Sequence, residues 1–154
     1  VFNDKKANMI FAITLGSGLV FTGSLLHFII LRQSALWIDP SLHPIRCFSL
    51  AMGIIILAHL FTALVFAVTF HVAEFQLGCG ELTNTLPAAS APDFMDRFYF
   101  SLVNLTTLGR GDLLPTGHLR FLTAMEALLG FLVITGSGAF LLKIINSQSH
   151  IGGK

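Results

Sequence analysis

Three long apolar runs constrain this chain more than any other feature of its sequence. Residues 9–31 and 48–72 contain no Asp, Glu, Lys or Arg, and residues 121–145 contain only Glu126 and Lys143. A helix rises about 1.5 Å per residue, so each run is long enough to cross a hydrocarbon core about 30 Å thick. The sequence therefore predicts an all-α, multi-pass membrane protein, placed in a cell membrane or a bacterial inner membrane.

The first run is interpreted as a span rather than a signal peptide. Its 23 residues exceed the roughly 7–15 apolar residues of a signal peptide, and no clear cleavage site follows them.

Composition excludes several classes of function. Hydrophobic residues make up 54% of the chain and charged residues 11%, whereas about a quarter of a soluble domain is charged. The net charge of +1 gives no electrostatic surface for nucleic acid. Neither a nucleophile–base pair nor a glycine-rich phosphate loop is visible, so we expect neither an enzyme nor an organic cofactor.

Histidine and cysteine spacing argues against a metal site and against an internal disulfide. His59 and His71 are separated by about 18 Å along a helix. Cys47 and Cys79 fall at opposite ends of the second run, too far apart to pair within one subunit. Two alternatives remain for Cys79: a disulfide between subunits, or a free thiol.

A shorter helical segment lies between the second and third runs. Residues 73–92 hold glycines, prolines and two acids, which predicts an exposed loop. Asp93 then opens an aromatic-rich stretch, where an Asp at a helix start accepts backbone N–H groups. Residues 94–105 would form a helix of only about 18 Å, which reaches about halfway into a membrane.

This short helix leads into a loop with alternating glycines. The loop reads Thr-Thr-Leu-Gly-Arg-Gly-Asp over residues 106–112. Irregular backbone at membrane depth is tolerated only where protein buries it or where it lines a water-filled cavity. Gly109 and Gly111 permit backbone angles that other residues avoid, so the loop can turn several carbonyls the same way.

The string TTLGRGD, preceded by FYFSLVNL and followed by LLPTGHLRFLTAMEALLGFL, resembles the pore region of tetrameric potassium channels. The usual filter string of that family is TTVGYGD. The resemblance is to the minimal two-transmembrane pore module, also found doubled in two-pore-domain channels, and covers roughly residues 48–145.

The resemblance implies two transmembrane helices that flank a re-entrant pore helix and a filter loop, plus one extra N-terminal transmembrane helix. Residues 1–46 then form the extra helix and a linker, and residues 47–154 form the pore domain. Independently of the resemblance, Pro40 and Pro44 are expected to break any helix within the linker. Within the pore domain the implied elements are an outer helix 48–72, an outer loop 73–92, a pore helix 93–106, a filter 107–112 and an inner helix 121–145.

Site residues are carried over from the same resemblance. Thr107 would bind K+ through its hydroxyl and carbonyl, and the backbone carbonyls of Leu108, Gly109 and Arg110 would continue the row of ligands. The implied partners are three further copies of the chain in a homotetramer, and the lipid bilayer. The candidate selectivity-filter residues are Thr106, Thr107, Leu108, Gly109, Arg110, Gly111 and Asp112.

Arg110 is the main departure from the family pattern, because it stands in place of Tyr. A guanidinium behind the filter is costly unless it is paired. We consider Asp112, Asp96 and Asp93 as partners. The alternative is that Arg110 reaches outer water and acts as a weak repellent of cations. In either case the channel could be only weakly selective among monovalent cations.

The third run carries further candidates. Glu126 is an acid inside a span, which indicates function by default. It could brace the filter, face a neighbouring subunit, or lie protonated or near the interface. Gly130 is interpreted equally as a gating hinge or a packing position. Gly136 is a second hinge candidate, although packing is favoured for it and for Gly138.

Topology leaves one conflict and one alternative function. If the pore loop enters from outside, Arg32, Arg46 and Lys143 are cytoplasmic, in agreement with the positive-inside tendency. Lys5 and Lys6 would then be outside, which disagrees with it. The first run is an ordinary span, a partly interfacial helix, or a helix packed on the pore module.

The alternative function is a non-conducting accessory subunit of a larger membrane complex.

Overall fold

The fold is built from helices and one small sheet. The computed structural model describes residues 2–38, 43–85 and 91–149, with side chains over 9–38, 43–85 and 91–146. Within these ranges the elements are α1 (Phe2–Trp37), α2 (Pro44–Phe75), β1 (Leu82–Asn84), α3 (Phe94–Leu105), β2 (Leu113–Pro115) and α4 (Leu119–Ser149).

Three of the helices can cross a membrane. Segments Met9–Trp37, Pro44–Phe75 and Leu119–Asn146 are long and apolar enough to span. Large apolar side chains on them are exposed, with Phe21 at 72% and Leu57 at 68%. A helix that is apolar all round is solvated by lipid or buried in a large core. The predicted class, an all-α membrane protein, is confirmed, and three of its helices are candidate spans.

The helices extend beyond the apolar runs of the sequence. α2 begins at Pro44, although this residue was expected to break any helix here. That expectation was wrong because Pro lacks only an N–H that the first helical turn leaves unpaired, and its fixed φ suits that position. His43 caps this end, since the Ile45 N–H donates to His43 Nδ1 at 3.4 Å. Pro40 lies outside the described residues.

Helix α1 packs along α4, and the two run parallel. Gly16 lies against Phe121 and Met125 near the start of α4, and His27 pairs with Ser137 further along it, with 2.9 Å between Nε2 and Oγ. The first residues of α1 therefore lie at the same end of the molecule as the start of α4. Of the possibilities left by the sequence, packing is the one observed: α1 lies along α4, and its length and composition allow it to span a membrane.

Helices α2, α3 and α4 enclose the main core. α3 lies between the other two at the end where α4 begins, and its Phe100 stacks edge-on to Phe70 at 5.3 Å. A second, smaller core joins α1, α2 and α4 at the opposite end. The buried residues of this second core are Leu31, Ile38, Cys47, Ala51, Ile55, Phe140 and Ile144.

A two-stranded sheet joins the segment before α3 to the segment after the 106–112 loop. β1 and β2 are antiparallel, with Thr83 opposite Leu114 in the centre. The sequence analysis did not predict it, because strands of three residues carry too little alternation to be recognised. Next to the sheet the two segments touch closely, since a Cβ at Gly80 would overlap the Thr116 backbone.

A buried ion pair fixes the start of α3 to the end of α2. Arg97 donates from Nε and Nη2 to Glu74 Oε2 at 3.0 and 2.7 Å. Its Nη1 donates to the carbonyls of Pro92 and Asp93, both at 2.7 Å. The two side chains are 3% and 10% exposed, so the pair is shielded from solvent.

We expect Glu74→Gln and Arg97→Gln each to lower the free energy of unfolding by about 3 kcal/mol, because each leaves a buried partner uncompensated. The double variant should lose less than the sum of the two. Thermal unfolding in detergent measures all three. Glu81→Gln, at an exposed acid of the same region, is the control and should have little effect. Strictly additive losses would contradict the pairing.

Candidate functional site

The short helix α3 is capped at its start by two acids. The Asp96 N–H donates to Asp93 Oδ1 at 2.8 Å, and the Asp93 N–H donates to Asp96 Oδ2 at 2.9 Å. This reciprocal arrangement is a capping box and satisfies two otherwise unpaired donors. Asp93 and Asp96 were candidate partners of Arg110, but their carboxylates are used here.

The loop that follows α3 turns its N–H groups back onto the helix. Thr107 N–H donates to the Asn104 carbonyl at 2.9 Å, and the N–H groups of Leu108 and Gly109 both reach the Val103 carbonyl, at 3.0 and 3.3 Å. No peptide bond in the described chain is cis. In a trans peptide the C=O points opposite to the N–H. The carbonyls of Thr107 and Leu108 therefore point away from α3.

Backbone angles alternate along the same loop. Thr107, Gly109 and Gly111 have positive φ values of 59°, 58° and 78°. Thr107 is the sole non-glycine residue with positive φ among the described residues, and this conformation costs a residue with a Cβ about 1–2 kcal/mol. Strain of this kind concentrates at functional sites. Residues 106–111 are all exposed in the single chain.

Asp112 holds the outer end of the loop. Its Oδ2 accepts a hydrogen bond from the Tyr99 hydroxyl at 2.9 Å, and its backbone carbonyl accepts from both the N–H and the hydroxyl of Thr85, each at 3.0 Å. The hydrogen bond to the Asp112 carboxylate stabilises the protonated Tyr99 hydroxyl and so raises its pKa. The loop is therefore tied both to α3 and to the segment after β1.

Arg110 lies beside Asp112 and faces outward. Its Nε is 3.5 Å from Asp112 Oδ2, which makes Asp112 the nearest of the three candidate partners. The Arg110 side chain is 62% exposed in the single chain. An exposed pair at this distance contributes at most about 1 kcal/mol. Arg110 is thus close to Asp112 and exposed in the single chain.

Glu126 is fully buried at the meeting point of three helices. The Ser101 hydroxyl of α3 lies 2.7 Å from the Ala63 carbonyl of α2 and in hydrogen-bond contact with Glu126 Oε1 of α4. A hydroxyl donates one proton and a carbonyl only accepts. Both contacts are satisfied when Ser101 donates to Ala63 and a protonated Glu126 donates to Ser101. Glu126 was expected to brace the filter loop or to face a neighbouring subunit; its contact in this chain is with α3, the helix that leads into the loop, rather than with the loop itself.

The inner-helix glycines differ in their surroundings. α4 approaches α3 most closely at Gly130, where a Cβ would overlap the carbonyl oxygen of Leu105. Nothing in the described chain lies within 4 Å of a Cβ built at Gly136 or Gly138. Gly130 is thus a packing contact in this structure, whereas the packing expected at Gly136 and Gly138 has no partner within the described part of the subunit.

The remaining sequence candidates lie apart from the loop. No group of three or more His, Cys, Asp or Glu side chains placed to hold a metal occurs among the described residues. No disulfide joins Cys47 and Cys79. Cys79 is 2% exposed, and this burial raises the pKa of its thiol. The residue therefore lies away from the surface at which a bond between subunits would form.

Sequence reasoning missed four residues that support the loop: Glu74, Arg97, Tyr99 and Ser101. One signal was available for Ser101. An acid in an apolar span needs a polar partner, and Ser101 is one of the few polar side chains on the short helix that faces Glu126. Tyr99 is the single Tyr of the chain, and its position one helical turn into α3 gave no sign of a bond to Asp112.

We expect Gly130→Ala to lower the free energy of unfolding by about 1–3 kcal/mol, because the added methyl forces α4 away from the end of α3. Gly138→Ala is the matched control. The same substitution in the same helix meets open space there. Because Ala has a higher helix propensity than Gly, it should raise the free energy of unfolding by up to about 1 kcal/mol. Thermal unfolding of both variants in detergent is the measurement. Equal shifts in the same direction would contradict the contact.

Comparison with known families agrees with this arrangement. A family described as ion channel matches residues 54–146, which is more than half of the chain. The matched range contains most of α2, all of α3, the loop and most of α4, and leaves α1 outside. No curated protein and no solved structure shows significant similarity to the chain. The length of the family match shows that this chain is a member of that ion channel family.

Proposed function

We propose that the chain is the subunit of a homotetrameric channel that conducts monovalent cations, with K+ preferred. The observation that carries the proposal is the loop 107–111, in which positive φ alternates along the backbone and the Thr107 and Leu108 carbonyls point away from α3. Carbonyl oxygens arranged in rings can replace the hydration shell of a cation.

Several copies are required because the carbonyls of one loop would contact an ion from one side only. Residues 106–111 are exposed, and nothing lies within 4 Å of a Cβ built at Gly109 or Gly111. A closed ring formed by one repeated surface is the usual symmetric solution. Four loops around one axis would surround the ion and cover this exposed backbone.

Each site residue then has a role in the pore. The Thr107 hydroxyl and the carbonyls of Thr107, Leu108, Gly109 and Arg110 bind the ion. The C-terminal end of α3 carries partial negative charge and faces the inner cavity, which favours cations. The ion is the transported species, so the proposed mechanism involves no cofactor.

Arg110 leaves the filter backbone intact. Its side chain lies beside Asp112 and is 62% exposed in the single chain, which supports a position away from the carbonyls that would bind the ion. A cation at the outer mouth repels entering cations at a distance set by ionic strength. We therefore propose that Arg110 lowers the entry rate of cations at low salt while the carbonyl rings preserve the preference for K+.

The first test is ion flux through liposomes that contain the purified chain. We expect K+ flux at least tenfold above Na+ flux, no chloride flux, and a tetramer in cross-linking. Gly109→Ala should reduce K+ flux at least tenfold, because it strains four filter strands at once. Gly18→Ala, a matched change in open space on α1, should leave flux unchanged.

Two outcomes would count against the channel. An inserted tetramer without flux would favour the non-conducting accessory subunit. Flux that Gly109→Ala does not alter would place the conduction path elsewhere in the chain.

The second test concerns charge at the outer mouth. Arg110→Gln should raise K+ flux severalfold at about 10 mM salt, where charges act over about 30 Å, and the difference should vanish near 1 M, where they act over about 3 Å. Arg120→Gln removes an exposed arginine at the same end and is the control. Equal effects of both substitutions would assign the change to general surface charge.

A further inference from the structure

A groove between α1 and α4 lies at the end of the molecule opposite the filter loop. Its volume is about 450 Å³, within the range of ligand sites in proteins. Phe28 and Leu31 of α1 and Val133 and Phe140 of α4 form much of its apolar wall. Phe28 is 60% exposed, so the groove opens on the apolar outer surface of the helices.

Two cations line one end of this groove. Arg32 of α1 and Lys143 of α4 are both exposed and both belong to its lining. Lys143 lies 24 residues beyond Leu119, about 36 Å along α4. Since the filter-loop end of α4 begins at Leu119, the two cations lie beyond a hydrocarbon core of about 30 Å, at the depth of lipid head groups.

Neither cation is neutralised within the described part of the chain. No described carboxylate forms an ion pair with Arg32 or Lys143, and neither has another polar partner there. The described acids from Glu74 to Asp112 lie towards the filter-loop end, and Glu126 is bonded to Ser101.

A buried polar pair lies next to the groove, on the membrane-centre side of the two cations. His27 is 5% exposed, and its Nε2 lies 2.9 Å from Ser137 Oγ. Arg32 follows His27 by five residues, about 7.5 Å along the helix. The groove thus offers an apolar surface with positive charge at its interfacial end.

We propose that this groove binds a phospholipid with an anionic head group, its phosphate held between Arg32 and Lys143 and an acyl chain laid along Phe28 and Phe140. The occupant is a lipid because the groove opens where the bilayer is the solvent, and basic pockets between transmembrane helices bind anionic head groups. The inference concerns α1, which lies outside the ion channel match, and does not depend on conduction.

The test is native mass spectrometry of the full chain in neutral detergent, titrated with phosphatidylglycerol or with phosphatidylcholine of the same acyl chains. We expect phosphatidylglycerol to bind at least tenfold more tightly. Arg32→Gln and Lys143→Gln should each weaken its binding about fivefold, and Arg32→Lys should restore it. Arg46→Gln, a cation outside the groove, should leave it unchanged.

A substitution that fills the groove distinguishes lipid binding in the groove from lipid binding to surface charge in general. Ala35 lines the groove, whereas Ala124 is an exposed alanine of α4 outside it. Ala35→Phe should weaken binding of both lipids at least tenfold, and Ala124→Phe should weaken neither.

Several results would overturn the proposal. These are equal binding of the two lipids, equal loss in Arg46→Gln and Arg32→Gln, an Ala35→Phe variant that binds normally, or displacement of the lipid by an equal concentration of inorganic phosphate. Circular dichroism of each variant identifies any that fails to fold, and Arg32→Lys then tests the charge requirement on a folded chain.

Discussion

The position of the short helix depends on one buried polar contact. Ser101 touches the Ala63 carbonyl of α2 and the Glu126 carboxyl of α4, so three helices meet at a single hydroxyl. Few polar side chains occur here, and an unsatisfied polar group in an apolar surrounding is costly. The register of α3 against its neighbours is therefore strongly specified: a shift of one residue in α3 would leave the buried Glu126 without its partner.

Both ends of α3 are then held by groups that also determine the course of the chain beyond it. At the start, Arg97 ties the helix to Glu74 and to the carbonyls of Pro92 and Asp93. At the end, loop N–H groups satisfy the last helical carbonyls, and this requirement turns the Thr107 and Leu108 carbonyls outward. The outward direction of these two carbonyls, on which the proposed cation path rests, is thus a consequence of how α3 pairs its final carbonyls.

Sequence alone predicted the features that depend on length and on local chemistry. Apolar runs predict spans because a bilayer has a fixed thickness, and the string TTLGRGD carried the resemblance that the family match supports at the level of an ion channel. The sheet and the Glu74–Arg97 pair were missed because they join residues 23 or more positions apart through geometry that no local pattern encodes. Pro44 was misread because its effect depends on whether it falls inside a helix or at the first turn.

Arg110 illustrates why a changed residue need not change the architecture around it. The requirement on positions 107–111 is on backbone angles, which Gly109 and Gly111 meet whatever stands between them. Anchoring of the outer end does not depend on residue 110 either, because Tyr99 and Thr85 both bond to Asp112. A guanidinium beside Asp112 therefore needs only access to solvent and a nearby carboxylate, and the exposed position of Arg110 supplies both. In the proposed channel Arg110 would change the charge at the mouth of the loop, whereas the direction of the carbonyls is decided by the helix behind it.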